Sequence, residues 1–269
     1  MLYIIVITII AGALLKISIE NKRRIFKERV KDVLKSNFHA PQYITHEIVT
    51  GLPQPVANYL ATVLPQNCPV IKTVRLRHDG YFRTGLEKEW ITIKGEQYIS
   101  GISPGFVWKG KTQMFTAIDS YSNGGGNLSV WLLSALRIAD KKGKDIDNAE
   151  IIRWIAESAL VPTNLLPSDS LKWEALNAVT AKLQYTFKDK EYCLVVRFNT
   201  YHEIESVETT RPFNDKSLQK WKGRFRSYKN IEGYRVPTEL EAIWIIDGEE
   251  KPYAMFSITD INFNCPYPF

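Results

Sequence analysis

The apolar positions of this chain change period twice, and each change marks a new kind of element. From Leu2 to Leu15 (LYIIVITIIAGALL) the run is unbroken except at Thr8, and Ile17 and Ile19 extend it. As a helix, residues 1 to 19 would measure about 28 Å, close to the roughly 30 Å of a bilayer's hydrocarbon core. The period then becomes helical. Ile25, Phe26, Val30, Val33 and Leu34 form one stripe within residues 20–36, as in a basic amphipathic helix that lies on anionic lipid, or a solvated linker helix. Residues 37–51 read as a connector. Pro53 and Pro55 open a helix, with proline well placed in a first turn. Val56, Tyr59, Leu60, Val63 and Leu64 recur at helical spacing, and Pro65 ends it.

From Val70 the period becomes two. Residues 70–80, 90–100, 106–112 and 115–120 read as strands, with Gly95 as a bulge or turn, and 123–127 (NGGGN) as a turn cluster. Residues 128–138 fit either a strand or a short apolar helix. A helix over 147–160 follows, begun by Asp147 and Glu150 in the spacing of a capping box and closed by Pro162. The remainder alternates again at 170–176, 179–187, 192–199, 203–210, 220–229, 235–246 and 253–263, with turns at Asp189, 230–233 and Asp247-Gly248. Strands joined by turns this short must be antiparallel. The fold class is therefore α+β: a large curved antiparallel sheet of roughly ten strands, or a half-open barrel, with a few covering helices. Three parts are expected: an anchor at 1–19, a juxtamembrane helix at 20–36, and a β-rich domain with a helical lid at 45–265.

Charge sharpens the first part. The chain carries 35 basic and 29 acidic side chains, but eight of the basic ones fall between Lys16 and Lys35, against three acidic ones. The remaining body is nearly neutral, which argues against nucleic acid, whose binding needs a basic face. No basic residue precedes the apolar run, so a retained single-pass anchor fits better than a cleaved signal. The cluster behind the run places the body in the cytoplasm by the positive-inside rule.

Candidate chemistry is sparse. His39, His46, His78 and His202 are isolated and lack metal-ligand spacing. Cys68, Cys193 and Cys265 show no pairing pattern. There is no nucleophile elbow, P-loop or dinucleotide fingerprint, so no metal, cofactor or catalytic residue is expected. Glu150, Arg153 and Glu157 share one helical face, at the rim of a cavity if the helix closes one. Arg75 and Arg77 alternate onto one face, as do Arg224 and Arg226, and would hold an anionic headgroup if both pairs pointed inward. Aromatic residues make up 12% of the chain and crowd the strands. Such side chains either fill a curved sheet or line an apolar hollow. The residues expected to touch a ligand are Arg75, Arg77, Trp90, Phe106, Trp108, Arg153, Trp154, Glu157, Trp173, Arg226, Tyr228 and Trp244.

Several segments carry a resemblance. They are 51–56 (GLPQPV) with Tyr59-Leu60, 74–77 (VRLR), 104–108 (PGFVW), 150–167 (EIIRWIAESALVPTNLLP), 173–175 (WEA), and 226–228 (RSY) with 236–238 (VPT). Together they resemble a family of uncharacterised bacterial proteins, a domain of unknown function usually preceded by a membrane segment. The resemblance covers about residues 45 to 263 and brings no activity. The 233–237 (GYRVP) turn before a long strand is similar to late strands of the LolA-like lipoprotein carriers. That resemblance implies a half-open barrel with an acyl-chain cavity on the extracytoplasmic side, against the charge rule, and this chain differs by keeping an anchor. Three readings follow. One is a membrane-anchored module that binds a lipid, acyl chain, lipoprotein or other apolar small molecule, with 147–160 and 162–167 as lid. The second is a hydrolase centred on Arg153 and Glu157. The third is a structural or partner-binding protein with a filled core.

Overall fold

The computed structural model describes residues 1–35, 42–44, 49–214 and 217–269. His39 and His46 lie outside the described residues. The chain opens with helix α1 (Leu2–Leu34). Strand β1 (Tyr43–Ile44), helix α2 (Gln54–Val63) and strand β2 (Cys68–Pro69) follow. A six-strand meander comes next: β3 (Thr73–Phe82), β4 (Ile91–Ser100), β5 (Phe106–Lys111), β6 (Phe115–Ser122), β7 (Gly125–Leu132) and β8 (Leu136–Lys141). Helix α3 (Lys144–Ala156) runs on through two tight helical turns, Glu157–Leu160 and Pro162–Leu165. The second half contributes β9 (Leu171–Asn177), β10 (Thr180–Phe187), β11 (Lys190–Phe198), β12 (Ile204–Asn214) and β13 (Ser217–Arg226). A small hairpin, β14 (Lys229–Ile231) and β15 (Tyr234–Val236), precedes β16 (Glu239–Ile246) and β17 (Glu249–Phe263).

Thirteen strands form one antiparallel sheet in the order β8-β7-β6-β5-β4-β3-β17-β16-β13-β12-β11-β10-β9. Its first and last strands, β3 and β17, pair at the centre from Phe82↔Ala254 to Val74↔Phe263. The two edges are β8 and β9, and α3 is the link between them. The sheet is not closed, so it is a half-open barrel with α3 inside the curve. The register shifts against β16 at Ala242/Ile243 and against β3 at Ile258/Asp260 leave Tyr253 and Thr259 unpaired, two bulges in β17, where extra twist curls the sheet.

Alternation sends Val74, Leu76, His78 and Phe82 of β3, and Ala254, Phe256, Ile261 and Phe263 of β17, to the concave face. Glycines make room there. A Cβ on Gly95 would lie 2.1 Å from the His78 ring, and one on Gly110 would lie 2.2 Å from the Trp108 ring. Gly95 pairs in unbroken register with His78 and Gly110. It is therefore a seat for a ring and not the bulge or turn its glycine suggested. The turn expected at 123–127 is shorter: Gly125 and Gly126 already belong to β7. A Cβ on Gly126 would meet the Ile146 backbone at 2.9 Å, so glycine is what lets α3 lie flat on that strand. Residues 128–138 resolve into β7, a tight turn and β8.

The core has two parts, one on each face of the sheet. The larger fills the concave side. The smaller lies on the outer face, where Phe26, Val30, Val33 and Leu34 of α1 cover Tyr98, Val107, Ile118 and Trp131. The stripe expected to face lipid or solvent therefore packs on protein. Burying four such side chains contributes on the order of 5–10 kcal/mol as an upper figure. Asp32 accepts the Asn123 N–H at 2.8 Å and Lys22 donates to the Ser134 carbonyl at 2.6 Å. Residues 1–19 and the docked half form one continuous helix, long and apolar enough near its start to cross a membrane.

Candidate ligand-binding site

Beneath α3 the concave face is solid. Ile151, Ile155, Ala156, Ala159, Leu160, Val161 and Leu165 are all buried, and they interleave with the inward side chains of both meanders. The helix is also pinned to both halves of the sheet. Asp147 accepts the Gly126 N–H at 2.6 Å, and Arg211 of β12 donates to the Ala149 carbonyl at 2.9 Å. Tyr192 donates to Asn148 at 3.0 Å, and the Trp154 indole donates to the Ser100 carbonyl at 2.9 Å. This overturns two expectations. Segment 147–167 is a strut rather than a lid, and among the described residues its underside is packed against the sheet. The capping box is absent too: the helix starts at Lys144 behind Gly143, and Asp147 is spent on the sheet.

A buried polar knot holds the middle of this strut. Arg153 donates to Asp119 at 2.6 Å and to Glu157 at 2.7 Å, and its guanidinium lies over the Phe106 ring at 4.7 Å. Gln97 donates to the other Glu157 oxygen at 2.5 Å. Burial alone would lower the Arg153 pKa, but Glu157, Asp119 and Glu150 outweigh it and hold the group above its usual range. Glu150 is raised well above the usual carboxylate range, first by burial and then by Asp119. Glu150 Oε2 and Asp119 Oδ1 are both buried without a donor. Burial and the neighbouring carboxylate both favour the protonated form of Glu150 over the charged one. A carboxylate already held by a guanidinium and an amide is a poor general base. Glu157 is such a group, which does not favour the hydrolase reading.

Next to the knot the surface changes character. A chain of ring contacts runs from Phe115 to Phe82 (6.5 Å between centroids), to Tyr253 (6.3 Å), to Trp244 (6.0 Å) and to Phe213 (4.9 Å). These residues come from β6, β3, β17, β16 and β12, and all five are half-buried. Trp221 lies below them and donates its indole N–H to the Tyr253 hydroxyl at 3.1 Å. His78, Phe256 and Trp108 continue the floor, with His78 stacked on Phe256 at 4.1 Å and accepting the Trp108 N–H at 2.8 Å. Phe82 ends β3, Phe115 begins β6, Phe213 is next to last in β12, and Tyr253 lies in the first turns of β17. The row therefore marks one end of the half-barrel. At the other end α2 and the β14–β15 hairpin plug the curve, with Tyr59 against Phe198 and the Tyr234 hydroxyl on the Pro69 carbonyl. Half-buried, ring-lined and slightly polar, the first end has the make-up of a site for an apolar molecule.

Residues 50–263 match the family of unknown function DUF6920. The chain belongs to DUF6920. None of the curated proteins matches it in sequence. Among solved structures it is similar to a domain named for outer membrane lipoprotein sorting from Vibrio parahaemolyticus. The two are 12% identical with a TM-score of 0.41, over 82% of this chain and 92% of that one. It is also similar to a LolA superfamily protein from Nitrosomonas europaea, at 10% identity and a TM-score of 0.45, over 82% of this chain and 94% of that one. Likeness at this level concerns the fold alone.

The DUF6920 sheet gathers some of the expected ligand residues and scatters the rest. Trp108 and Trp244 belong to the ring-lined end. Phe106 and Trp154 are inward and sealed in the packed interior, and Arg153 and Glu157 are mostly buried and engaged with each other. Trp173 is spent on the Leu165 carbonyl at 2.9 Å, and Tyr228 on the Ile204 carbonyl at 2.9 Å. Trp90 sits before β4 under the Arg83 guanidinium, 4.3 Å from its ring. Arg75, Arg77 and Arg226 are on the outer face, so the inward anion clamp does not form. Arg75 binds Asn262 and the Tyr267 and Pro268 carbonyls, and Arg77 lies over the Phe269 ring at 4.0 Å, so the pair fastens the chain's last residues. Arg224 and Arg226 pair with Glu241 at 2.7 and 3.6 Å. Together with Tyr81 and Met255 they line a shallow outer cleft of about 260 Å³. Two larger clefts, of about 400 and 640 Å³, are polar grooves beside α1. Phe82, Phe115, Phe213, Tyr253 and Phe256 were missing from the expected set. They come from β3, β6, β12 and β17, and only the strand pairing brings them to one end.

His78 carries a pH dependence. Burial holds its pKa down to about 4, although the Asp79 backbone pulls the other way. Between pH 6.5 and about 4 the unfolded chain binds this proton and the folded chain does not, so stability falls as the pH falls through that window. Chemical denaturation at pH 7 and pH 4.5 is expected to show a loss about 2 kcal/mol smaller in His78→Gln than in the parent. Equal losses in the two proteins would mean that His78 titrates normally.

Proposed function

We propose that this protein is a membrane-anchored binding module, which takes up a lipid or acyl chain at the ring-lined end of its half-barrel. One observation carries the reading: the ring-lined end and the point where α1 leaves the sheet are the same end. Phe115 is flanked by Met114 and Thr116. Met114 accepts the Leu133 N–H at 2.6 Å, and Thr116 meets the Ser134 hydroxyl at 2.7 Å. The Ser134 carbonyl in turn holds Lys22 of α1. An apolar segment of α1 long enough to span a bilayer ends only a few residues before Lys22. With that segment in the membrane, the aromatic row opens toward the lipid, and a guest passes from bilayer to barrel over a short path. The rings would spread to admit it, while the α3 strut and its salt-bridge knot hold the two meanders in place. The test is native mass spectrometry of the full chain, extracted in polymer discs without detergent. A lipid-sized mass that survives gentle release from the disc is expected. The bare chain mass alone would count against the reading.

A further inference from the structure

The tips of two neighbouring hairpins project beside the spanning part of α1, and their side chains are of the wrong kind for water. Met114, on the β5–β6 turn, is 63% exposed. On and after the β7–β8 turn, Leu133, Leu136 and Ile138 are 73%, 63% and 57% exposed. Scattered exposed leucines are ordinary, but four on adjoining tips form a patch. The β7–β8 turn is also built against its own preference. Ala135 donates to the Leu132 carbonyl at 3.0 Å, and the two central residues, Leu133 and Ser134, have φ of 47° and 62°. A two-residue turn of this type favours Asn-Gly, and leucine with positive φ is strained there. Among the described residues the Leu133 side chain joins neither core cluster and points to the outside.

Its location says what it meets there. Ser18 of α1 donates to the Ala135 carbonyl and Lys22 to the Ser134 carbonyl. The turn is thus fixed at the level where the apolar helix segment gives way to its basic half. Arg23, Lys109 and Lys111 are near enough to Lys22 to lower its pKa, after burial; Lys16 and Arg137 are nearby in sequence, and Arg23, Lys109 and Arg137 are paired with Glu20, Glu96 and Asp140. An apolar knuckle with Lys22 held on its turn, beside a helix of spanning length whose next stretch is basic, fits the acyl–headgroup boundary of an anionic bilayer. We infer that the β5–β6 and β7–β8 tips insert into the membrane surface through Met114, Leu133, Leu136 and Ile138. They hold the half-barrel at a fixed height with its ring-lined end against the lipid. This inference rests on α1 being a membrane span, and its test separates the two.

Nitroxide labels are placed by Leu133→Cys, Leu136→Cys, Ile10→Cys and Tyr201→Cys in a Cys193→Ser, Cys265→Ser background. The full chain is reconstituted in phosphatidylcholine–phosphatidylglycerol vesicles. Ile10 is exposed on the span. Tyr201, 73% exposed on the β11–β12 turn at the opposite strand ends, is the aqueous control. Collision with oxygen is expected to exceed collision with a water-soluble nickel complex severalfold at 10, 133 and 136, and the reverse is expected at 201. Labels at 133 and 136 that behave like 201 while 10 reads acyl chain would overturn the knuckle and leave the span standing. An aqueous reading at 10 would overturn both.

Discussion

Arg153→Met is expected to cost about 3–5 kcal/mol of folding stability, seen as a large fall in the denaturation midpoint. The reason is what the guanidinium leaves behind. Asp119 and Glu157 have side chains only 13% and 18% exposed, and each loses its charge partner at 2.6–2.7 Å. The cost comes from stranding charge and not from losing attraction, so it should shrink when the acids are neutralised. Arg153→Met with Asp119→Asn and Glu157→Gln is expected to recover most of the loss. Arg153→Lys is expected to recover less, because one ammonium cannot reproduce the two-sided fork. A loss below 1 kcal/mol for Arg153→Met would mean that the knot is solvated.

Trp244→Ala with Tyr253→Ala is expected to weaken binding of a fluorescent fatty-acid probe by roughly tenfold to a hundredfold while leaving the fold intact. Each ring presents apolar surface worth about 1.5–3 kcal/mol when fully covered, and 1.4 kcal/mol is a factor of ten. Both rings are half-buried, so part of that surface is already shielded and the lower end is the better guide. Trp173→Ala is the matched control, since that half-buried tryptophan hydrogen-bonds Leu165 and lies outside the ring row. An unchanged affinity in the double variant, with a native circular dichroism spectrum, would place the guest elsewhere. The Trp221 N–H loses its acceptor in Tyr253→Ala, so Tyr253→Phe separates loss of that hydrogen bond from loss of the ring.

Alternation was a good guide to the strands of the second half. Segments read as 170–176, 179–187 and 192–199 match β9, β10 and β11 within two residues at either end, and in β10 and β11 one face is buried and the other is wet. Parity did not say which face was which. Arg75 and Arg77 do share a face, as read, but it is the outer one, and only the pairing of β3 with β17 reveals that. The β7–β8 turn escaped notice because it uses Leu133-Ser134 where a hairpin ordinarily shows Asn-Gly. The start of α3 escaped because Asp147 bonds to a strand far away in sequence instead of capping its own helix. The stripe on residues 25–34 was legible as a stripe, but lipid and a protein face ask for the same residues. The ring-lined end depends on which strand ends coincide in space, which no local pattern encodes.

Native mass spectrometry of the full chain, released from its own membrane without detergent, tests the central claim most directly. The account predicts a population heavier than the bare chain by the mass of one lipid or fatty acid, and loss of that population in the Trp244→Ala, Tyr253→Ala variant. A folded chain that appears only at its sequence mass, and takes up no lipid when vesicles are supplied, would contradict it.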